Sequence, residues 1–186
     1  MYTFLFIFFL ILGVLGIVFS TLLVLALLFG NRLPSEYSGR VTATIDRPIE
    51  DVWKAVKDVI SNPISARMCL SVTEETDENG TRFWYENISA GKIRVNSVSE
   101  VEMKSWVRRS IDASTDMQSL CKVEVKDVGD VCQITADNQI TFGKGSFFGP
   151  LLRCMLYFFG LTRLGMKKYV VQIANYLETN ADFSDP

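Results

Sequence analysis

Histidine is absent from all 186 residues. That removes the commonest general base and the commonest metal ligand in one stroke. Cysteine is sparse and badly spaced for zinc: Cys69, Cys121, Cys132 and Cys154 include no close pair. These four read best as small buried hydrophobes, with a disulfide left open. Net charge is nearly absent too, at −2 from 19 basic and 21 acidic side chains. No basic field is available to attract nucleic acid. No internal repeat or low-complexity tract appears. We therefore expect no metal, no cofactor and no nucleic-acid partner; protein partners are not specified.

Charge is also missing from Tyr2 to Gly30. Such a run exceeds the roughly 20 residues that cross a bilayer core. A cleaved signal peptide is the competing reading, but the basic n-region is lacking and the apolar stretch is too long. An uncleaved single-pass anchor over residues 1–30 is the expectation. Arg32, Arg40 and Arg47 follow it, so the positive-inside bias places the domain on the cytoplasmic side. Two glycosylation triplets, Asn79-Gly-Thr and Asn87-Ile-Ser, are of the kind that also arises by chance. Residues 31–36 form a short joint containing Pro34. Six residues reach at most about 20 Å, which keeps the domain close to the membrane.

What remains is patterned. Tyr37 to Asp46 alternates, with Val41, Ala43 and Ile45 on one face, as a half-buried strand does. Asp46-Arg47-Pro48 opens a helix striped by Val52, Trp53, Val56 and Ile60, and Ser61-Asn62-Pro63 stops it. Strand-like runs follow at Cys69–Glu75, Thr81–Ile88, Lys92–Val101, Ser105–Ile111, Leu120–Lys126 and Val131–Phe142. Short turns at Asp77-Glu78-Asn79-Gly80 and Asp127-Val128-Gly129-Asp130 make successive runs neighbours in an antiparallel meander. The last apolar segment, Ser146 to Thr179, organises the rest. Met166, Val170, Ile173 and Leu177 recur at helical spacing, so this helix must bury a stripe against the sheet. The fold class is α+β: an antiparallel sheet curved around a long C-terminal helix, spanning residues 37–180, with a frayed tail at 181–186.

The order strand, helix, strands, closing helix resembles the START-like helix-grip superfamily, in its polyketide cyclase/dehydrase and lipid-transport branch. The residues that carry the resemblance are VTATIDRPIEDVWKAV (Val41 to Val56) and GPLLRCMLYFFG (Gly149 to Gly160) with the helical stretch after it. The resemblance implies a hydrophobic cavity between sheet and helix for a lipid, sterol or polyketide-like ligand. Relatives often carry an aromatic pair around a proline after the first helix. Here that stretch is Asn62-Pro-Ile-Ser-Ala, so this wall of the cavity differs.

Strand parity selects the expected lining: Phe83, Tyr85, Ile93, Val95, Val107, Arg109, Val123, Ile134, Ile140 and Phe142. Arg108 and Arg109 are adjacent and must face opposite ways. Arg109 shares parity with Val107 and Ile111 and is the expected inward one. It would either clamp a ligand carboxylate or phosphate, or pair structurally with an acid such as Glu86. Tyr85 would put a hydroxyl at the wall, and Glu86 would act as a base only if burial raised its pKa. Phe147, Phe148, Phe158 and Phe159 flank Arg153. A second membrane span there would carry an arginine near its centre at about 2.5 to 3.5 kcal/mol, so a helix buried in the domain or dipping into the lipid interface fits better. The expected function is membrane-tethered binding of a hydrophobic small molecule or lipid, with transfer to or from the bilayer. A cyclase/dehydratase-like enzyme using Tyr85, Glu86 and Arg109 is the alternative, and an adaptor with a collapsed cavity is a third.

Overall fold

The computed structural model describes residues 2–65, 68–78, 80–89, 91–143 and 149–184. Phe147 and Phe148, the Asn79 glycosylation triplet's acceptor and the last two residues lie outside them. Helix α1 (Tyr2–Gly30) precedes strand β1 (Glu36–Ile45) and helix α2 (Ile49–Lys57). Strands β2 (Cys69–Thr76), β3 (Arg82–Ile88), β4 (Gly91–Val101), β5 (Ser105–Asp112), β6 (Met117–Asp127) and β7 (Cys132–Phe142) form the meander. Helices α3 (Gly149–Phe159) and α4 (Leu161–Tyr176) and strand β8 (Ala181–Ser184) complete the chain.

All eight strands join one antiparallel sheet in the order β2-β3-β4-β5-β6-β7-β1-β8. The meander arises because each turn is too short for anything but an antiparallel return. β1 crosses over to pair with β7, from Glu36 opposite Thr141 to Ile45 opposite Cys132. The expected frayed tail is corrected. Ala181 and Phe183 alternate inward, pair with Ile45 and Ala43 of β1, and extend the sheet by one strand.

Two helices cover the inner face. α2 buries Val52, Trp53 and Val56, and Glu50 and Asp51 sit in its first turn where the helix dipole favours them. α4 buries Met166, Tyr169, Val170, Ile173 and Ala174 against Val41, Ala43, Ile134 and Ala136 of β1 and β7. Each fully buried Val or Ile contributes about 1.5 to 3 kcal/mol of transfer free energy. The closing segment is two helices rather than one. Gly160 adopts φ 57°, a left-handed conformation open to glycine, and breaks the helix between Phe159 and Leu161.

α1 stands apart from this core. Its described side chains are largely exposed, Ile17 by 70% and Leu28 by 64%. Among the described residues it is the one helix long and apolar enough to cross a membrane. Its last turns pack against α3, where Gly30 is buried against the backbone of Pro150. All four cysteines are free thiols.

Candidate functional site in the sheet interior

The cross-strand register sorts the sheet into rows. One row runs Ser97, Arg108, Cys121, Asn138, Gly39 across β4, β5, β6, β7 and β1. The next runs Val95, Ser110, Ser119, Ile140, Tyr37. The first meets α4 through Arg108, Cys121 and Gly39, and the Tyr37 end of the second lies beside Arg153 of α3. The interior face of β5 is therefore Trp106, Arg108, Ser110 and Asp112, all buried.

That parity corrects the expectation for Arg109. It shares a face with Val107 and Ile111 as expected, but this is the outer face, where Arg109 is exposed and Ile111 is 36% exposed. Arg108 is the inward arginine, with no accessible surface. Tyr85 and Phe83 are corrected in the same way. They lie on the face opposite Trp84 and Glu86, with Lys92 and Arg94 stacked on their rings. Val107 also faces out. Ile93, Val95, Val123, Ile134, Ile140 and Phe142 are all buried on the inner face. The set Tyr85, Glu86 and Arg109 is not brought together.

Arg108 sits between two aromatic rings, its guanidinium carbon 4.6 Å from the Trp106 centroid and 5.2 Å from that of Tyr169. Its Nη2 donates to the Tyr169 hydroxyl at 2.7 Å. Its Nε and Nη1 are buried without a hydrogen-bond partner. Among the described residues no carboxylate lies within ion-pair distance of it. Burial opposes its charge, but the hydrogen bond to Tyr169 and the nearby Glu86 favour it, and its pKa stays above the ordinary arginine value. Burial pushes Tyr169 up as well, against the pull of Arg108. Tyr169 is therefore a neutral phenol that accepts from Arg108 and keeps its own proton to donate. Burial also raises the Cys121 thiol, which stays protonated.

Two carboxyl groups are buried nearby and both are committed to structure. Glu86 accepts from the backbone N–H of Ile64 at 2.9 Å and of Ser65 at 2.8 Å, and so pins the loop after α2. Asp112 accepts from Ser114 and Thr115 in the β5–β6 turn.

A second polar group lies toward α3. Tyr37 Oη, Asn138 Oδ1, Thr162 Oγ1 and Arg153 Nε are buried without partners. Arg153 donates through Nη2 to the Gly143 carbonyl at 3.2 Å and lies over the Phe142 ring. Burial pushes the Tyr37 phenol up, partly offset by Arg153. Among the described residues no group of three or more cysteine, aspartate or glutamate side chains could hold a metal ion.

Arg108 and Tyr169 form a buried polar pair; sequence reasoning placed Arg108 on the opposite face and did not single out Tyr169. Trp106 was the available signal. A tryptophan two residues before Arg108 marks the buried face more strongly than Val107 and Ile111 mark the other.

No family model matches the chain, and no curated protein matches it. Solved structures do. An aromatase/cyclase from Streptomyces sp. R1128 superposes with a TM-score of 0.61 at 11% identity, over 77% of this chain and 94% of that one. The chain has the helix-grip fold. A protein from Thermus thermophilus shares it at TM-score 0.58 and 14% identity, over 76% of this chain and 97% of that one. So does the di-domain aromatase/cyclase of the steffimycin pathway, at 0.56 and 10%, over 78% of this chain and 51% of that one. Within this frame Arg108 and Cys121 lie between the sheet and α4. The groove of about 770 Å³ between β1, β8 and α4 contains none of the ten expected lining residues.

Proposed function

We propose that the protein is a membrane-tethered binder of an apolar small molecule or lipid, held between sheet and α4 with its polar end at Arg108. One observation carries this reading: a fully buried guanidinium with two unpartnered donors. An unpaired buried charge is costly, and a carboxylate, phosphate or enolate oxygen would satisfy it. The inner faces of β4, β6 and β7 supply apolar contact through Val95, Val123 and Ile140. Aromatase/cyclases with the same fold support a small-molecule interior by analogy alone. Binding is favoured over catalysis because Glu86 and Asp112, the buried acids, are both spent on structural hydrogen bonds, and there is no histidine. A cyclase-type enzyme would have to work through Tyr169 and Arg108.

Hexadecanoic acid and its methyl ester test the clamp, titrated into the full-length chain and read by native mass spectrometry. Arg108→Met should weaken the acid about 30-fold, the loss of charge-assisted hydrogen bonds, and leave the ester nearly unchanged. Arg109→Met, on the outer face, should change neither. Equal losses for acid and ester would make Arg108 structural and sink the clamp. No binding of either by the parent protein would favour the adaptor.

The tether rests on α1, a helix of 29 residues and about 43 Å, more than a bilayer core requires. The intact mass of protein extracted from membranes should include residues 1–30. Loss of about that many N-terminal residues would identify a cleaved signal instead.

A further inference from the structure

Helix α3 runs antiparallel to the last turns of α1. Gly30 abuts Pro150, and the Cys154 thiol reaches the Ala26 carbonyl at 3.6 Å. Each step along α3 therefore leads back along α1. From Pro150 to Phe158 is eight residues, about 12 Å of helix. The one charge of α3, Arg153, is buried in the domain. What α3 exposes instead is Tyr157 at 56%, Phe158 at 70% and Phe159 at 71%. Exposed adjacent aromatics of this size are unusual on a surface that meets only water.

Directly beyond Phe159 the chain turns at Gly160 into the groove between β1, β8 and α4. Its lining includes Arg40, Arg163 and Lys167 and no acidic side chain. Among the described residues none of the three has an ion-pair partner. The order is an aromatic tip, then a ring of cations. That matches the order a protein meets on approaching a membrane from its interior, hydrocarbon and then phosphate.

We propose that the α3–α4 corner docks on an anionic lipid surface, with Phe158 and Phe159 in the hydrocarbon boundary and Arg40, Arg163 and Lys167 on lipid phosphates. The docking rests on the tether reading only in that α1 brings the corner to the bilayer. It would hold the domain in one orientation, with the α3 end of the interior turned toward the lipid.

The test uses the full-length chain in nanodiscs whose acyl chains carry bromine, a contact quencher of tryptophan. The native tryptophans, Trp53, Trp84 and Trp106, are buried in the core and give a constant background. Phe158→Trp should be strongly quenched in discs containing phosphatidylserine, and Val98→Trp, exposed on β4, should not. Each cation near an anionic surface contributes about fivefold, so Arg40→Gln, Arg163→Gln and Lys167→Gln together should weaken the docked state on the order of 100-fold. Quenching of Phe158→Trp should then fall to its level in purely zwitterionic discs. Leu15→Trp on α1 separates the two readings. If it is quenched and Phe158→Trp is not, the docking is wrong and the tether stands. If Phe158→Trp is quenched equally in neutral and anionic discs, lipid charge has no part and the proposal is overturned. If neither tryptophan is quenched, docking and tether fail together.

Discussion

Glu86→Leu should destabilise the protein by about 2 to 6 kcal/mol. The backbone N–H groups of Ile64 and Ser65 both donate to this one carboxylate, whose residue is 1% exposed. Leucine fills the space but leaves two part-buried donors unpaired, at up to about 1 to 3 kcal/mol each. Glu86 also contributes favourably to the charge of Arg108, so the same change removes an anion from the interior. Glu86→Gln keeps one acceptor oxygen and should lose roughly half as much. For a chain of this size each kcal/mol lowers Tm by about 2 to 4 °C. Hydrogen exchange adds a local readout, since the Ile64 and Ser65 amides should lose protection first. Both variants melting with the parent, with those amides still protected, would show that the loop is held by something else.

The fold was legible because its signals were local. Val41, Ala43 and Ile45 alternate, and Met166, Val170 and Ile173 recur at helical spacing. Both patterns are direct consequences of which side is dry. The small β8 was missed because four residues carry too little periodicity to separate strand from tail; its register is set by Phe183 docking on the core, a tertiary event. The break at Gly160 was visible as a glycine but not as a left-handed one.

The site was misread for a physical reason. Strand parity assigns faces only when the buried face is the more apolar one. On β5 it is not: Trp106, Arg108, Ser110 and Asp112 are inside, while Val107 and Ile111 are outside. The same inversion moved Phe83 and Tyr85, whose outer-face rings are covered by Arg94 and Lys92 rather than by core. On this face Ser110 bonds Ser119 and Asp112 holds the β5–β6 turn, while Arg108 keeps two donors without a partner. On β6 and β7 Val123, Ile134, Ile140 and Phe142 are buried on the inner face. The inversion falls on β3 and β5.

Gly39→Ala and Gly165→Ala should shift stability in opposite directions, although both replace a glycine by the smallest side chain. Gly39 lies in β1 opposite Asn138, where the start of α4 crosses the sheet. A Cβ there would sit 2.5 Å from the Arg163 nitrogen, 2.7 Å from the Thr162 carbonyl carbon and 2.9 Å from the Arg163 Cα. These are backbone atoms, so no side chain can swing aside and the first turn of α4 must lift as a unit. Overpacking of this kind costs about 3 kcal/mol or more. Gly165 is in α4 with nothing within 4 Å of its Cβ position, and alanine there should gain about 0.5 to 1 kcal/mol of helix propensity. The consequence reaches the interior. Thr162 and Arg163 are on the helix that places Tyr169 on Arg108 at 2.7 Å. Lifting α4 therefore weakens that hydrogen bond as well as the packing. Gly39→Ala should lower Tm by about 6 to 12 °C on the same scaling and also weaken hexadecanoic acid binding. Gly165→Ala should raise Tm and leave binding as it was. Denaturation of the two variants beside the parent decides the matter. A Gly39→Ala protein as stable as the parent would mean that α4 does not lie against β1 as closely as described.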